Sequence, residues 1–139
     1  MKLSEILTIS GKPGLYKIVA QNPGRVIVES VDDGKRMPVF MQHNFSILND
    51  ISIFTEDEDT PLGEVFKALF EKEDGKETIS HKSEEKDLEA KMLEVIPKYD
   101  KEEVRHADMR KLFKWYNLLI SKNLWTPADL AEEVSEEEE

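Results

Sequence analysis

Residues 108–124, DMRKLFKWYNLLISKNL, constrain this chain more than any other stretch. Their apolar residues recur at helical spacing, so Met109, Leu112, Phe113, Tyr116, Leu119 and Ile120 share one face of a single helix. That face is wide enough to anchor a small domain. The opposite side is unusual. Lys111, Trp115, Leu118 and Lys122 fall at i, i+4, i+7 and i+11, nearly opposite the core stripe. A solvated face rarely carries a Trp and a Leu there. Either the helix packs on two sides, or the second stripe meets a partner. With the neighbouring charges included, the candidate interaction surface is Arg110, Lys111, Lys114, Trp115, Leu118 and Lys122.

The same helix is the one long basic segment of an acidic chain. Net charge is −11 over 139 residues, 35% of which are charged. An average globular chain carries roughly 25%, so part of this charge belongs on exposed tail or linker. Residues 104–127 carry five Lys/Arg against one Asp, whereas residues 128–139 carry seven acids and no base. The mean charge argues against nucleic-acid binding, and the local basic excess leaves it open. Cysteine is absent. That removes disulfides, thiolate nucleophiles and zinc–cysteine sites, and it fits a reducing, cytoplasmic setting. The opening MKLSEILTISGK has a Glu inside its apolar stretch and no cleavage pattern, so no signal peptide is expected. No run approaches the ~20 apolar residues of a membrane span, and no membrane association is expected.

In chain order, Ser4 as N-cap with Glu5 behind it predicts one or two helical turns through Leu7 and Ile9. Strands follow at 15–20, 25–31, 35–41 and 51–55. They are set by β-branched residues and by the turns Asn22-Pro23-Gly24 and Asp32-Asp33-Gly34. Pro38 cannot donate to a ladder and belongs on an edge or at a bulge. Thr60 as N-cap and Pro61 at the first helical position open a helix whose apolar face is Leu62, Val65, Phe66, Leu69 and Phe70. It is expected to close the open side of the sheet. Residues 73–83 are charged, polar and nearly free of apolar side chains, and read as an acidic linker. A second helical unit then spans 84–134, with Pro97 ending its first helix. Trp125 reads as a staple at a helix–helix corner, and residues 135–139 as a disordered acidic tail. The expected fold class is α+β: residues 1–72 form a small antiparallel β-sheet or SH3-like barrel with flanking helices, followed by the short C-terminal helical unit.

No catalytic motif is present. There is no Gly-x-Ser-x-Gly, no phosphate-cradling glycine loop and no His-Glu-x-x-His. His43, His81 and His106 are spaced unlike metal ligands. The sequence therefore names no catalytic, cofactor-binding or metal-ligating residue, and no small-molecule cofactor. The expectation is a non-enzymatic protein-interaction module, partnered by another protein or by a second copy. The alternative is a nucleic-acid-associated protein using the basic aromatic helix 108–124.

Four stretches, MKLSEILTISGKPGLYKIVAQ, GKRMPVF, ISIFTEDEDTPLGEVF and KLFKWYNLL, together resemble a small bacterial family catalogued as a domain of unknown function. The resemblance covers most of the chain, in two blocks joined by the acidic linker. It implies a shared architecture and a bacterial cytoplasmic setting, and it assigns no functional residue.

Overall fold

A computed structural model describes residues 1–12, 14–40 and 44–138 and shows an open antiparallel sheet joined to four helices. The strands are β1 (Ile6–Ile9), β2 (Tyr16–Asn22), β3 (Arg25–Ser30), β4 (Arg36–Phe40) and β5 (Phe45–Ile47), in the order β4-β3-β2-β1-β5. Three of the predicted strands are β2, β3 and β4. Val26, Ile27 and Val28 lie in β3, where β-branched side chains pack well on a pleat. The connection to β4 is held by the Asp33 carboxylate, which accepts from the Lys35 N–H at 2.9 Å, and by Gly34 at φ +75°. Pro38 sits opposite Ile27 on the edge strand β4, where its missing N–H breaks no ladder. The predicted strand 35–41 ends on Met41, and Met41 and His43 lie outside the described residues.

The sheet stays open, so of the two expected forms the SH3-like barrel is not the one built. One edge carries Pro38 and the other is only three residues long, and neither offers a full ladder for closure. Two further expectations are corrected. Only Leu3–Glu5 forms a helical turn, of 3-10 type and without a side-chain cap. Ile6–Ile9 is instead an inner strand, whose Leu7 and Ile9 point into one core and Ile6 into another. Residues 51–55 do not join the main sheet either. Ser52–Ile53 (β6) pairs with Thr60–Pro61 (β7) in a separate ribbon. Thr60 is thereby drawn into a strand, and the next helix starts one residue later than its cap signature implies.

The helices are α1 (Leu62–Lys72), α2 (Glu85–Val95), α3 (His106–Ser121) and α4 (Pro127–Glu138). On α3, Met109, Leu112, Phe113, Tyr116 and Leu119 are buried, as the periodicity requires, and Ile120 is half-buried. Each such side chain contributes about 1.5–3 kcal/mol. They meet Val65, Phe66 and Leu69 of α1, Leu88 and Met92 of α2, and Leu3, Ile6 and Leu15 from the sheet side. Trp125 is buried at the α3–α4 corner, edge-on to Phe66 at 5.8 Å. α4 lies so close to α1 that a Cβ on Gly63 would sit 2.5 Å from Leu130 Cδ1. The α4 backbone is helical through Glu138, across most of the expected tail. No Gly or Pro follows Pro127 to end it. A second, smaller core of Leu7, Ile9, Tyr16, Val28 and Val39 fills one face of the sheet.

Residues 73–83 form no regular element, yet they are strapped to α3. The Tyr116 hydroxyl donates to the Lys76 carbonyl at 2.8 Å. Asn117 accepts from the Thr78 N–H at 2.8 Å and donates to the Ile79 carbonyl at 3.1 Å. Arg110 donates to the carbonyls of His81 and Ser83 at 2.8 and 3.1 Å.

Candidate functional site

The roll of α3 about its axis is fixed from both ends. At its start the Asp108 carboxylate accepts from the Arg105 N–H at 3.0 Å. The ring nitrogens of His106 lie 2.7 Å from Glu85 and 2.6 Å from Glu89, tying α3 to α2. Further along, Arg110, Tyr116 and Asn117 face the 73–83 strap, and the apolar stripe faces the core. What remains is the flank carrying Lys111, Lys114 and Trp115, which looks toward the end of the sheet where β1 meets β5.

Between that flank and the sheet lies a cleft of about 700 Å³. Its lining includes Lys12, Asn44, Ser46, Lys111, Lys114 and Trp115, and among the described residues it contains no carboxylate and no histidine. Past Trp115 a second hollow of about 200 Å³ opens, lined by Ile51, Ile53, Phe54, Leu62 and Leu112, with Glu103 and Asp108 also in its lining. Ile51, Lys111 and Trp115 border both hollows, so the two form one groove with Trp115 as the ridge between them. Trp115 is half-buried, its inner side packed against the core. Phe54 is 48% exposed, the most exposed large apolar side chain among the described residues.

The groove is electropositive at one end. Among the described residues, Lys12, Lys111 and Lys114 form no ion pair, whereas Lys17 is paired with Glu29 at 3.0 Å and Lys98 with Asp57 at 3.2 Å. The field reaches His81. Its burial, and then the charges of Lys114, Lys82 and Arg110, hold the imidazole below its ordinary 6.5.

Of the six residues expected to form an interaction surface, the structure brings Lys111, Lys114 and Trp115 together. Arg110 is engaged with the strap. Leu118 faces a separate shallow hollow beside Asn117 and Thr78. Lys122 is exposed at the C-terminus of α3, away from the groove. Sequence reasoning missed Lys12, Ile51 and Phe54. Lys12 had no signal at all, because it reaches the cleft only through the β1–β2 loop. Phe54 had one: in the alternation of 51–55 it falls opposite Ile51 and Ile53. Among the described residues no cluster of metal-ligating side chains occurs, and His43 lies outside them.

Comparison with known proteins matches residues 3–48 to a domain of unknown function (DUF5606) and residues 51–119 to a second one (DUF6852). A solution NMR structure from Bacteroides vulgatus, a Northeast Structural Genomics Consortium target, is 39% identical. The match covers 89% of this chain and 89% of that one, with a TM-score of 0.72. No curated protein matches. The boundary between the two matched regions falls in the 3-10 turn Leu48–Asp50. The groove therefore takes Lys12, Asn44 and Ser46 from one region and Ile51, Phe54, Lys111, Lys114 and Trp115 from the other. No described helix is long and apolar enough to cross a membrane.

Proposed function

This chain matches two domains of unknown function in series, DUF5606 and DUF6852, and on that premise we propose that it is a non-enzymatic, cytoplasmic protein-interaction module. Its partner sits in the groove between α3 and the β1–β5 end of the sheet. One observation carries the reading. Three lysines without an ion pair among the described residues converge around a half-exposed tryptophan at the seam of the two matched domains, in a chain where acids outnumber Lys/Arg 30 to 19. A tryptophan beside a pocket is a common anchor of an interface hot spot, and the lysines around it add charge that can steer and orient a partner. Among the described residues, the serines of the cleft have no imidazole or carboxylate beside them to act as a base, and proton transfer requires one within hydrogen-bond reach. The cysteine-free composition fits the reducing compartment.

A protein partner is favoured over nucleic acid by the second hollow. It is apolar, and its rim carries Glu103 and Asp108, which a phosphate backbone would have to approach.

The test is affinity capture from cells with the full chain. Wild type is compared with Lys111→Glu/Lys114→Glu and Phe54→Ser, and with Lys86→Glu on the exposed face of α2 as control. Circular dichroism and melting establish that each variant is folded. A partner retained by wild type and Lys86→Glu and lost by both groove variants is expected. A captured set indifferent to the groove substitutions overturns the reading.

A further inference from the structure

We infer that the occupant of this groove is an extended acidic segment of a partner protein, its carboxylates against Lys12, Lys111 and Lys114 and an apolar side chain carried past Trp115 into the slot beside Phe54. The inference rests on the interaction reading above and specifies the chemistry of the partner.

Some basic residues elsewhere on this surface are answered from within the chain, although others, such as Lys67 and Lys101, stand singly among the described residues. Lys17 and Arg36 share Glu29, Lys91 lies between Glu73 and Glu94, and Lys98 meets Asp57. In a chain of net charge −11 a lysine has many potential partners. Three that converge on one cleft without any among the described residues are complementary to carboxylates supplied from outside.

The groove changes chemistry along its length. It runs from the basic cleft, over the Trp115 ring, into an apolar slot and on to the carboxylates of Glu103 and Asp108. A ligand uniformly charged along its length, such as a nucleic acid, would match the first end and be repelled at the other. A segment with Asp or Glu on one side of a Leu, Phe or Met, and not on the other side, matches throughout. The apolar residue is needed because the slot is lined by Ile51, Ile53 and Leu112 and would be left wet by a purely polar chain.

The cleft runs beside β5, which is an edge strand of the sheet. An edge strand presents main-chain donors and acceptors to an extended chain, with alternate side chains dropping into flanking pockets.

The experiment selects random dodecapeptides, displayed on phage, on the immobilised full-length chain, with depletion on Lys111→Glu/Lys114→Glu. The expected consensus places Asp or Glu within a few residues on one side of an apolar residue. A synthetic consensus peptide should bind wild type at least roughly tenfold more tightly than Lys12→Glu, Lys111→Glu/Lys114→Glu or Phe54→Ser. Binding should weaken from low to physiological salt. Melting curves matched to wild type separate loss of binding from loss of fold. No enrichment, a basic or uncharged consensus, or binding unaffected by charge reversal overturns the inference. So does displacement of the peptide by a short single-stranded RNA that binds more tightly and with steeper salt dependence, which would make the occupant a nucleic acid. If cellular capture depends on the groove while no acidic consensus emerges, the interaction reading stands and only the partner's chemistry fails. If both experiments are negative, both readings fall.

Discussion

Tyr116 carries two jobs on one side chain. Its ring is fully buried against Phe66, with centroids 6.0 Å apart, and its hydroxyl donates to the Lys76 carbonyl. Burial, and then the charge of Glu73, push its pKa from 10.0 to about 12. The unfolded chain releases this proton near the ordinary value while the folded chain still holds it. The stability it brings is therefore complete below pH 10.0 and is lost as pH climbs through about 12. Thermal melts should show a steeper alkaline fall for wild type than for Tyr116→Phe. At neutral pH that variant should be less stable by about 1 kcal/mol, because the Lys76 carbonyl loses its donor. Parallel alkaline limbs would contradict the assignment. His81 reports on the opposite charge. Its imidazole stays neutral in the fold at a pH where the unfolded chain has begun to take up the proton, so stability is lost as pH falls below 6.5. Burial would persist in Lys114→Gln, but part of the positive field would go, and the His81 titration followed by NMR should move upward. An unmoved titration would mean that the positive end of the groove is weaker than its geometry indicates.

At the scale of elements, the strap over residues 73–83 shows where sequence reasoning reaches its limit. Its composition reads as linker, and nothing in its own residues says otherwise. The bonds that hold it come from side chains about thirty or forty positions away, Arg110, Tyr116 and Asn117, and they grip backbone carbonyls and an N–H that every sequence possesses. Asn117→Ala removes two of these partly buried bonds and should cost about 2 kcal/mol. Hydrogen exchange should show the Thr78 amide losing protection while α3 keeps its own; an unchanged Thr78 amide would mean that the strap is held by something else. The same limit explains the strands. β2, β3 and β4 were legible because β-branched runs and an Asp-Gly turn are local signals. β1 was hidden by Ser4 and Glu5, whose cap signature imitates a helix start. β5 is three residues long, too short for any period to register. α3 was legible almost residue by residue, since a sixteen-residue helix repeats its pattern more than four times. Its basic aromatic flank was legible as unusual. The groove was not, because half of its wall comes from the loop at Lys12 and from β5.

For the whole molecule, the larger core decides how the two family domains relate. Leu3, Ile6, Leu15 and Leu48 come from the first, and they are buried with Phe66, Leu112 and Phe113 of the second. Exposing four such side chains would cost about 6–12 kcal/mol at roughly 1.5–3 each. That is comparable to the entire net stability of an ordinary domain, about 5–15 kcal/mol. Neither half can carry that loss, so the chain should unfold in one step. Far-UV circular dichroism, tryptophan fluorescence from Trp115 and Trp125, and exchange of sheet amides such as Val28 should give one coincident transition. Expressed separately, residues 1–50 and 51–139 should each lack cooperative unfolding, and mixing them should restore it. Two separated transitions, or a half that melts cooperatively alone, would show the domains to be independent. The groove makes the same demand, since Lys12 and Ser46 lie on one side of the seam and Trp115 on the other. An acidic consensus peptide should bind neither half, bind the reconstituted pair, and raise the melting temperature of the intact chain in proportion to its occupancy. Recognition and folding then depend on the same contact between the two domains, and a substitution such as Leu48→Ala, far from any ligand, should weaken both together.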